Sequence, residues 1–182
     1  MSKPLEGKRV AILMTNGVEQ VELTEPRVAL ELAGAKTEIV SPVKGRIQAM
    51  NHDQPGDTFK ADVALASAKP EIYDALLLPG GVANPDSLRL EPKAVAFVKS
   101  FFDDNKPVAS ICHGPWMLAE ADVARGRTLT SWPSLKTDLR NAGATWVDRE
   151  VVHDGNLTTS RKPDDLPAFI DTMLNSFAAG RA

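Results

Sequence analysis

The stretch "SICHG", Ser110 to Gly114, contains the single cysteine of this 182-residue sequence, and a histidine follows it directly. Cys112 lies where a predicted buried strand, Pro107–Cys112, meets a predicted helix. This pattern is typical of a nucleophile elbow, in which small residues two positions to either side of the nucleophile permit a sharp turn. A core cysteine, a nucleophile and a redox sensor are all open interpretations of Cys112, and the position at an elbow favours the two reactive ones.

The elbow also leads to an expectation about the ionisation of the thiol. A helix N-terminus presents its positive dipole end and free N–H groups, both of which favour a thiolate. We therefore predict a pKa for Cys112 below the ordinary thiol value of about 8.5. Neighbouring side chains at a tight turn tend to diverge, so Cys112 and His113 need not form a direct hydrogen bond.

Two other predicted strand ends carry groups that suit a nucleophile. The sequence "LPGG" ends one buried strand, and Gly80 and Gly81 there can present backbone N–H groups to an oxyanion. Glu19 and Glu22 follow the first predicted strand, Arg9–Met14. A buried, protonated carboxylic acid can donate a hydrogen bond to a thiolate, whereas a solvated glutamate in a first helical turn has only a structural role. Both interpretations of the two glutamates stay open.

Alternating strand and helix patterns predict the elements that position these groups. The predicted fold is α/β, a three-layer α/β/α sandwich with a mostly parallel, flavodoxin-like sheet and a C-terminal antiparallel hairpin, in one domain over residues 1–182. The further predicted elements are helices Thr24–Ala35, Glu91–Asp104, Gly114–Val123 and 163–178, strands Thr37–Pro42 and Tyr73–Gly81, a loop or small antiparallel excursion over Lys44–Thr58, and a hairpin over Thr145–Ser160 that turns at Asp154-Gly155.

Composition narrows the classes of partner. The chain is 43% hydrophobic and 25% charged with a net charge of −3, which predicts a globular protein and gives no reason to expect nucleic acid or a membrane as partner. We expect neither a signal peptide nor a membrane span. A single cysteine suits a reducing compartment, so we expect a cytoplasmic location. No metal-ligand spacing occurs, and we predict no metal and no cofactor.

Several motifs together resemble the PfpI family. They are ICHGP, GRTLTSWP, AGATWVD and DGNLTTSR, with RVAILMTNGVEQVELTEP and DALLLPGG earlier in the chain. This family belongs to the superfamily of the Parkinson-disease-associated deglycase, within the class I glutamine-amidotransferase-like fold. The resemblance covers nearly the whole chain.

The resemblance implies a role for each candidate site residue. These are Cys112 as nucleophile, His113 as the adjacent catalytic histidine, Glu22 as a protonated acid bonded to the thiol, Glu19 as an acid at the pocket mouth, and Gly80 and Gly81 as the backbone oxyanion site. We expect Trp116 to line the pocket because it follows His113 in the first helical turn, and Trp132 and Trp146 to be packing residues.

Asp86 lies where hexameric PfpI members carry a glutamate that reaches the histidine of a neighbouring subunit. The shorter side chain here, in a loop with one extra residue, departs from that pattern and weakens an intersubunit triad. The resemblance also implies a homo-oligomer, either a dimer or a hexamer.

The resemblance implies a cytosolic stress-response protein with cofactor-free chemistry on reactive carbonyls. Its substrate would be a small aldehyde or a glycated amine or thiol, which makes the protein a glutathione-independent glyoxalase or a deglycase. An intracellular cysteine peptidase is the second hypothesis. The third is a non-enzymatic redox sensor or chaperone in which Cys112 is oxidised to a sulfinate.

Overall fold

Twelve strands and six α-helices form the computed structural model, which describes residues 2–182. The strands are β1 (Arg9–Leu13), β2 (Val18–Glu19), β3 (Lys36–Ser41), β4 (Arg46–Asn51), β5 (Gln54–Lys60), β6 (Val63–Ala64), β7 (Ala75–Leu78), β8 (Val108–Ile111), β9 (Thr128–Leu129), β10 (Thr145–Trp146), β11 (Val151–Asp154) and β12 (Leu157–Ser160). The helices are α1 (Gln20–Leu32), α2 (Ala83–Leu88), α3 (Pro92–Asp103), α4 (Trp116–Glu120), α5 (Lys136–Asn141) and α6 (Leu166–Ala179).

Seven of the strands form the main sheet, in the order β11-β12-β8-β7-β1-β3-β6. Neighbouring strands are parallel throughout except for the pair β11 and β12. The five strands from β3 to β12 follow the flavodoxin-like order. This confirms the predicted α/β fold, and it places the carboxyl ends of β1, β7 and β8 side by side at one edge.

Helices cover both faces of this sheet, because its central strands carry apolar side chains on both faces. Side chains alternate along β1, so that Val10 and Ile12 pack in a core with α1 and α6, while Ala11 and Leu13 pack in a second core with α3, α4 and α5. Strands buried on both faces are mostly apolar, as RVAIL, ALLL and VASI are. Among the described residues, no helix has the length and apolar content to cross a bilayer.

The polar stretch Lys44–Thr58, predicted as a loop or a small antiparallel excursion, forms an antiparallel pair of strands. Strands β4 and β5 pair antiparallel, and β2 joins them in a small three-stranded sheet. His52, at the tip of this hairpin, has a φ of 58°. The predicted C-terminal hairpin is also present, between β11 and β12, and it turns through Gly155 and Asn156. Thr145 and Trp146 lie outside it and pair with β9 instead.

The first helix begins four residues before the predicted N-cap, Thr24. It starts at Gln20, and the Thr24 hydroxyl donates to the Gln20 carbonyl oxygen at 3.0 Å inside the helix. A β-strand of only two residues precedes it, which the apolar pattern of the sequence did not indicate. The early start places Glu22 in the first turn of α1, where it is fully buried.

The strand–helix junction after β8 requires a glycine at position 114. A Cβ atom there would lie 2.6 Å from the Ser110 Oγ atom and 2.7 Å and 2.9 Å from the carbonyl oxygens of Leu78 and Ile111. Two of these three atoms belong to the backbone of the sheet and cannot move independently. The segment after Cys112 therefore packs against the sheet at a distance that only glycine permits.

We predict that Gly114→Ala lowers the free energy of unfolding by about 1–3 kcal/mol, because overpacking at a rigid site displaces the backbone. Urea denaturation of the wild-type and variant proteins measures the change. The exposed residue Ser134 provides a control, and Ser134→Ala should leave the denaturation midpoint unchanged. An unaltered midpoint in Gly114→Ala would show that the junction has room for a methyl group.

Candidate active site

The candidate site lies at the carboxyl ends of three adjacent strands. After β1 the chain reaches Glu19 at the end of β2 and Glu22 in the first turn of α1. It leaves β7 through Gly80 and Gly81, and it leaves β8 at Cys112. Because parallel neighbours end at the same edge of the sheet, these segments converge there.

Cys112 occupies a strained turn. Its φ of 63° lies in the left-handed region, which costs a non-glycine residue on the order of 1 kcal/mol or more. Backbone hydrogen bonds on both sides hold the turn: the Cys112 N–H donates to the Ser160 carbonyl at 3.0 Å, and its carbonyl accepts from the Trp132 N–H at 2.9 Å. The side chain is 7% exposed. The predicted elbow therefore presents a nearly buried sulfur to the site.

Glu22 is buried against this sulfur and holds its proton. One carboxyl oxygen, Oε1, accepts the Gly80 N–H at 3.1 Å. Burial, and next the negative charge of Glu19, raise the pKa of Glu22 from 4.5 to about 8. A Cβ atom on Gly80 would lie 2.6 Å from Glu22 Oε1 and 2.7 Å from Cys112 Cβ, so only glycine fits between the two side chains. At neutral pH Glu22 is an uncharged acid beside the thiol.

The pKa of the Cys112 thiol is shifted in the direction opposite to our prediction. Burial raises the pKa of the thiol, and so does the negative charge that Glu22 acquires once it ionises. The N–H groups of Gly81 and His113 act in the other direction but are outweighed. The predicted lowering is therefore wrong, because it considered the helix terminus and not the loss of water around the sulfur. The thiol needs a proton acceptor in order to react.

His113 is in position to be that acceptor. Its Nδ1 atom lies 3.2 Å from Cys112 Sγ, so the adjacent side chains meet instead of diverging. Burial lowers the pKa of His113, which keeps the imidazole neutral at neutral pH. The Trp132 ring stacks on the imidazole at a centroid distance of 5.8 Å, and the Trp116 ring meets its edge at 5.1 Å. Two indole rings thus orient the imidazole toward the sulfur.

A cavity of about 330 Å³ opens above the sulfur. Its lining brings together five of the predicted site residues, namely Glu19, Glu22, Gly81, Cys112 and His113; Gly17, Met50, His52, Val82, Ala83, Trp132 and Pro163 complete the lining.

Three predicted site residues do not line this cavity. Gly80 lies between the Glu22 and Cys112 side chains, and Trp116 directs its Nε1 atom to Asp138 at 2.9 Å. Trp132, which we expected only to pack, lines the cavity instead of Trp116. Asp86 is exposed in the first turn of α2, so its predicted contact with a neighbouring subunit stays a prediction. Within residues 2–182, no group of three or more His, Cys, Asp or Glu side chains is arranged to hold a metal ion.

Comparison with known proteins identifies the family. The model of the DJ-1/PfpI family matches residues 8–176. A deglycase of Pyrococcus abyssi is 46% identical over 162 residues, which cover 89% of this chain and 95% of the relative. The chain belongs to the DJ-1/PfpI family. The resemblance inferred from the sequence motifs is thereby confirmed.

Solved structures of this family share the fold. Drosophila melanogaster DJ-1beta has a TM-score of 0.85 and 28% identity, with 94% of this chain and 90% of that chain covered. A two-domain protein of Anabaena variabilis, with DJ-1/ThiJ/PfpI-like and ferritin-like domains, has a TM-score of 0.87 and 35% identity. The match covers 92% of this chain and 47% of the Anabaena protein, so this chain spans about half the length of that protein.

Sequence reasoning missed one residue that organises this DJ-1/PfpI site. Asn84 is fully buried, and its Oδ1 atom accepts the Thr15 N–H at 2.7 Å. Its Nδ2 atom donates to the carbonyl oxygens of Pro79 and Gly80, each at 3.0 Å. These bonds fix the peptide groups of Pro79 and Gly80, and the Gly80 N–H donates to Glu22. No local pattern distinguished Asn84, because the Thr15 N–H that it accepts lies in a distant segment of the chain.

The raised pKa of Glu22 predicts a pH dependence of stability. In the unfolded chain this carboxyl ionises at about 4.5, whereas in the folded protein it keeps its proton to about 8. Its contribution is therefore fully present below pH 4.5 and is lost progressively as the pH rises through 8.

Glu22→Gln stays uncharged at every pH, so we expect its stability relative to wild type to increase as the pH rises from 5 to 8. A pKa that differs by one between the folded and unfolded states corresponds to about 1.4 kcal/mol of stability. Urea denaturation at several pH values measures the difference, with the exposed Glu25→Gln on the same helix as the control. A constant difference between Glu22→Gln and wild type would show that Glu22 ionises normally.

We predict that Asn84→Ala loses about 3 kcal/mol of unfolding free energy, because it leaves the Thr15 N–H and the Pro79 carbonyl without their buried partner. It also removes one of the two donors to the Gly80 carbonyl, which keeps its bond from the Glu19 N–H at 3.3 Å. Asn84→Asp keeps the acceptor for Thr15 but replaces both donors by acceptors, so it should be at least as damaging. Chemical denaturation measures both variants. The exposed Asn141→Ala is the matched control and should change little. If Asn84→Ala loses no more unfolding free energy than the control, Asn84 does not hold this loop in place.

Proposed function

We propose that this protein is a cofactor-free, cysteine-dependent enzyme that converts glyoxal-type carbonyl compounds into 2-hydroxy acids. The substrate is a small dicarbonyl compound, either free or present as an adduct on an amine or a thiol. The observation that carries the proposal is the contact of 3.2 Å between Cys112 Sγ and a neutral His113, beside the protonated Glu22. Archaeal relatives that bear the name deglycase support a reaction of this type.

The first step is attack of Cys112 Sγ on the aldehyde carbon. The thiol proton passes to His113 Nδ1, and the carbonyl π electrons move to the oxygen. The Gly81 N–H and the acidic proton of Glu22 are the nearby donors that can stabilise this oxygen. His113 then returns the proton to the oxygen, which gives a neutral hemithioacetal.

The second step is an internal redox change. His113 removes the proton from the former aldehyde carbon while Glu22 gives its proton to the oxygen on the second carbon, and a neutral enediol forms. His113 then protonates the second carbon, and the hydroxyl group on the first carbon returns a proton to Glu22. The product is a thioester of a 2-hydroxy acid, so one carbon is oxidised and its neighbour reduced. Water then hydrolyses the thioester and restores the thiol. In an adduct the former aldehyde carbon is a carbinol, so the adduct first releases the amine or thiol, which takes the proton of the carbinol hydroxyl group. The regenerated aldehyde then follows the same steps.

The proposal extends to the setting of the protein. A reaction that removes reactive carbonyls suits a role in the stress response. The single cysteine, kept as a free thiol, suits a cytoplasmic location. We also propose that the protein forms a homo-oligomer, in which an exposed Asp86 is available to another subunit.

A cysteine peptidase is the second candidate, because the contact between Sγ and Nδ1 is also the nucleophile–base geometry of a thiol protease. Hydrolysis of casein that is lost in Cys112→Ser would support it. Absence of casein hydrolysis, together with turnover of methylglyoxal, would exclude the peptidase function.

We predict that Cys112→Ser abolishes consumption of methylglyoxal, because a serine hydroxyl at the same place is a far weaker nucleophile. His113→Ala should lower kcat/KM by roughly 10²–10⁴, the usual effect of losing a general base. Formation of lactate without glutathione measures the activity, and thermal melting verifies that both variants are folded. Lactate formation by Cys112→Ser at the wild-type rate would contradict the proposal.

A further inference from the structure

One carboxylate, that of Glu19, places negative charge at the cavity above Cys112. Glu19 lines the cavity and is 8% exposed, and each of its carboxylate oxygens lies 3.2 Å from the His52 backbone nitrogen. An N–H group fixes the position of the carboxylate without neutralising its charge. That charge contributes to the raised pKa of Glu22, so it is felt at the bottom of the cavity.

The other lining residues do not compensate for this charge. Within the part of the chain that the structure describes, no lysine or arginine lines the cavity. Glu22 and His113 are both neutral at neutral pH, for the reasons given above. The imidazole of His52 is exposed at the hairpin tip. Around the reacting sulfur, a walled cavity screens charge less than bulk water does, so Glu19 acts strongly on whatever enters.

We propose that Glu19 makes the cavity a charge filter that admits neutral and positively charged carbonyl compounds and rejects anionic ones. This inference rests on the proposed function and specifies its substrate class. Adducts on a guanidinium or ammonium group that keep their positive charge belong to the favoured class, whereas glyoxal compounds that carry a carboxylate elsewhere in the molecule, such as 4-carboxyphenylglyoxal, belong to the rejected class.

The size of the cavity agrees with this class. Its volume of about 330 Å³ falls within the range of sites that accept ligands of drug size, about 300–1,000 Å³. A three-carbon dicarbonyl leaves most of that space empty. An adduct that brings a side chain with it fills the space and places its charged end near Glu19.

The first test measures the filter without relying on turnover. Iodoacetamide and iodoacetate are similar in size and differ in charge, and the chain has one cysteine, so alkylation reports Cys112 alone. The observable is the ratio of the two alkylation rates, divided by the same ratio for a free cysteine peptide. We expect this normalised ratio to favour iodoacetamide at least tenfold in wild type.

Replacement of the charge should remove the selectivity. Glu19→Gln keeps the size of the side chain and an acceptor for His52, and we expect its normalised ratio to fall about tenfold, toward one. Any effect of the variant on thiol ionisation changes both rates equally and cancels in the ratio. Glu19→Asp keeps the charge and should remain selective. Glu25→Gln, an exposed acid on the same helix, is the matched control and should equal wild type.

Measurement of turnover is the second test, and it distinguishes a failure of the charge filter from a failure of the proposed function. We expect kcat/KM for phenylglyoxal to exceed that for 4-carboxyphenylglyoxal, which has the same reacting group and an added negative charge, in wild type, and Glu19→Gln to reduce this preference about tenfold. A preference that Glu19→Gln leaves unchanged, with methylglyoxal still consumed, overturns the charge filter and spares the proposed function. Selective alkylation without turnover of any carbonyl overturns the proposed function and upholds the filter.

Discussion

The rest of the site depends on one constraint, a carboxylic acid that is buried together with its proton against a thiol. An ionised Glu22 would be costly there, because burial and the charge of Glu19 both oppose a second negative charge. The acid can occupy this place because Gly80 leaves room between it and Cys112. Its Oε1 atom has a donor because the loop after β7 directs an N–H toward it. The loop keeps that direction because Asn84 donates to two of its carbonyl oxygens.

Chemical consequences follow from the neutral state of these groups. Thiol, imidazole and carboxylic acid are all uncharged at neutral pH, so in the reaction that we propose charge develops only after the substrate arrives. Stabilisation of developing charge by oriented donors in a partly buried site is an effective form of catalysis. The stacked Trp132 and the edge-on Trp116 hold the imidazole in the orientation that this transfer of a proton requires. In the charge filter that we propose, the carboxylate of Glu19 distinguishes between substrates by their charge.

Membership of the DJ-1/PfpI family establishes the fold more firmly than the reaction. Structures with TM-scores above 0.8 include a stand-alone DJ-1beta and a chain with an additional ferritin-like domain. A shared fold places the strand ends and the elbow in the same arrangement, but the activity depends on the groups that surround the sulfur. In this chain the decisive groups are the His113 contact, the protonated Glu22 and the charge of Glu19.

The sequence by itself determined the fold and the elements that meet at the site. Continuous apolar runs identified the strands β1, β7 and β8, and the spacing of small residues around Cys112 identified the elbow, because both patterns follow from local rules of the backbone. The pair Asp154-Gly155 likewise indicated the C-terminal hairpin. Local patterns also located Glu19, Glu22, Gly80 and Gly81 just beyond strand ends that a parallel sheet brings together.

Only the tertiary structure decided the orientation and the charge state of these groups. His113 turns toward the sulfur because Trp132, nineteen positions later in the chain, stacks on its ring. The pKa of Cys112 rises because distant segments remove water from the thiol, an effect that no local pattern encodes. Asn84 becomes a brace through its contacts with Thr15, sixty-nine positions earlier. Burial and hydrogen bonding depend on which residues the fold brings together, and for these groups the partners are far apart in the sequence.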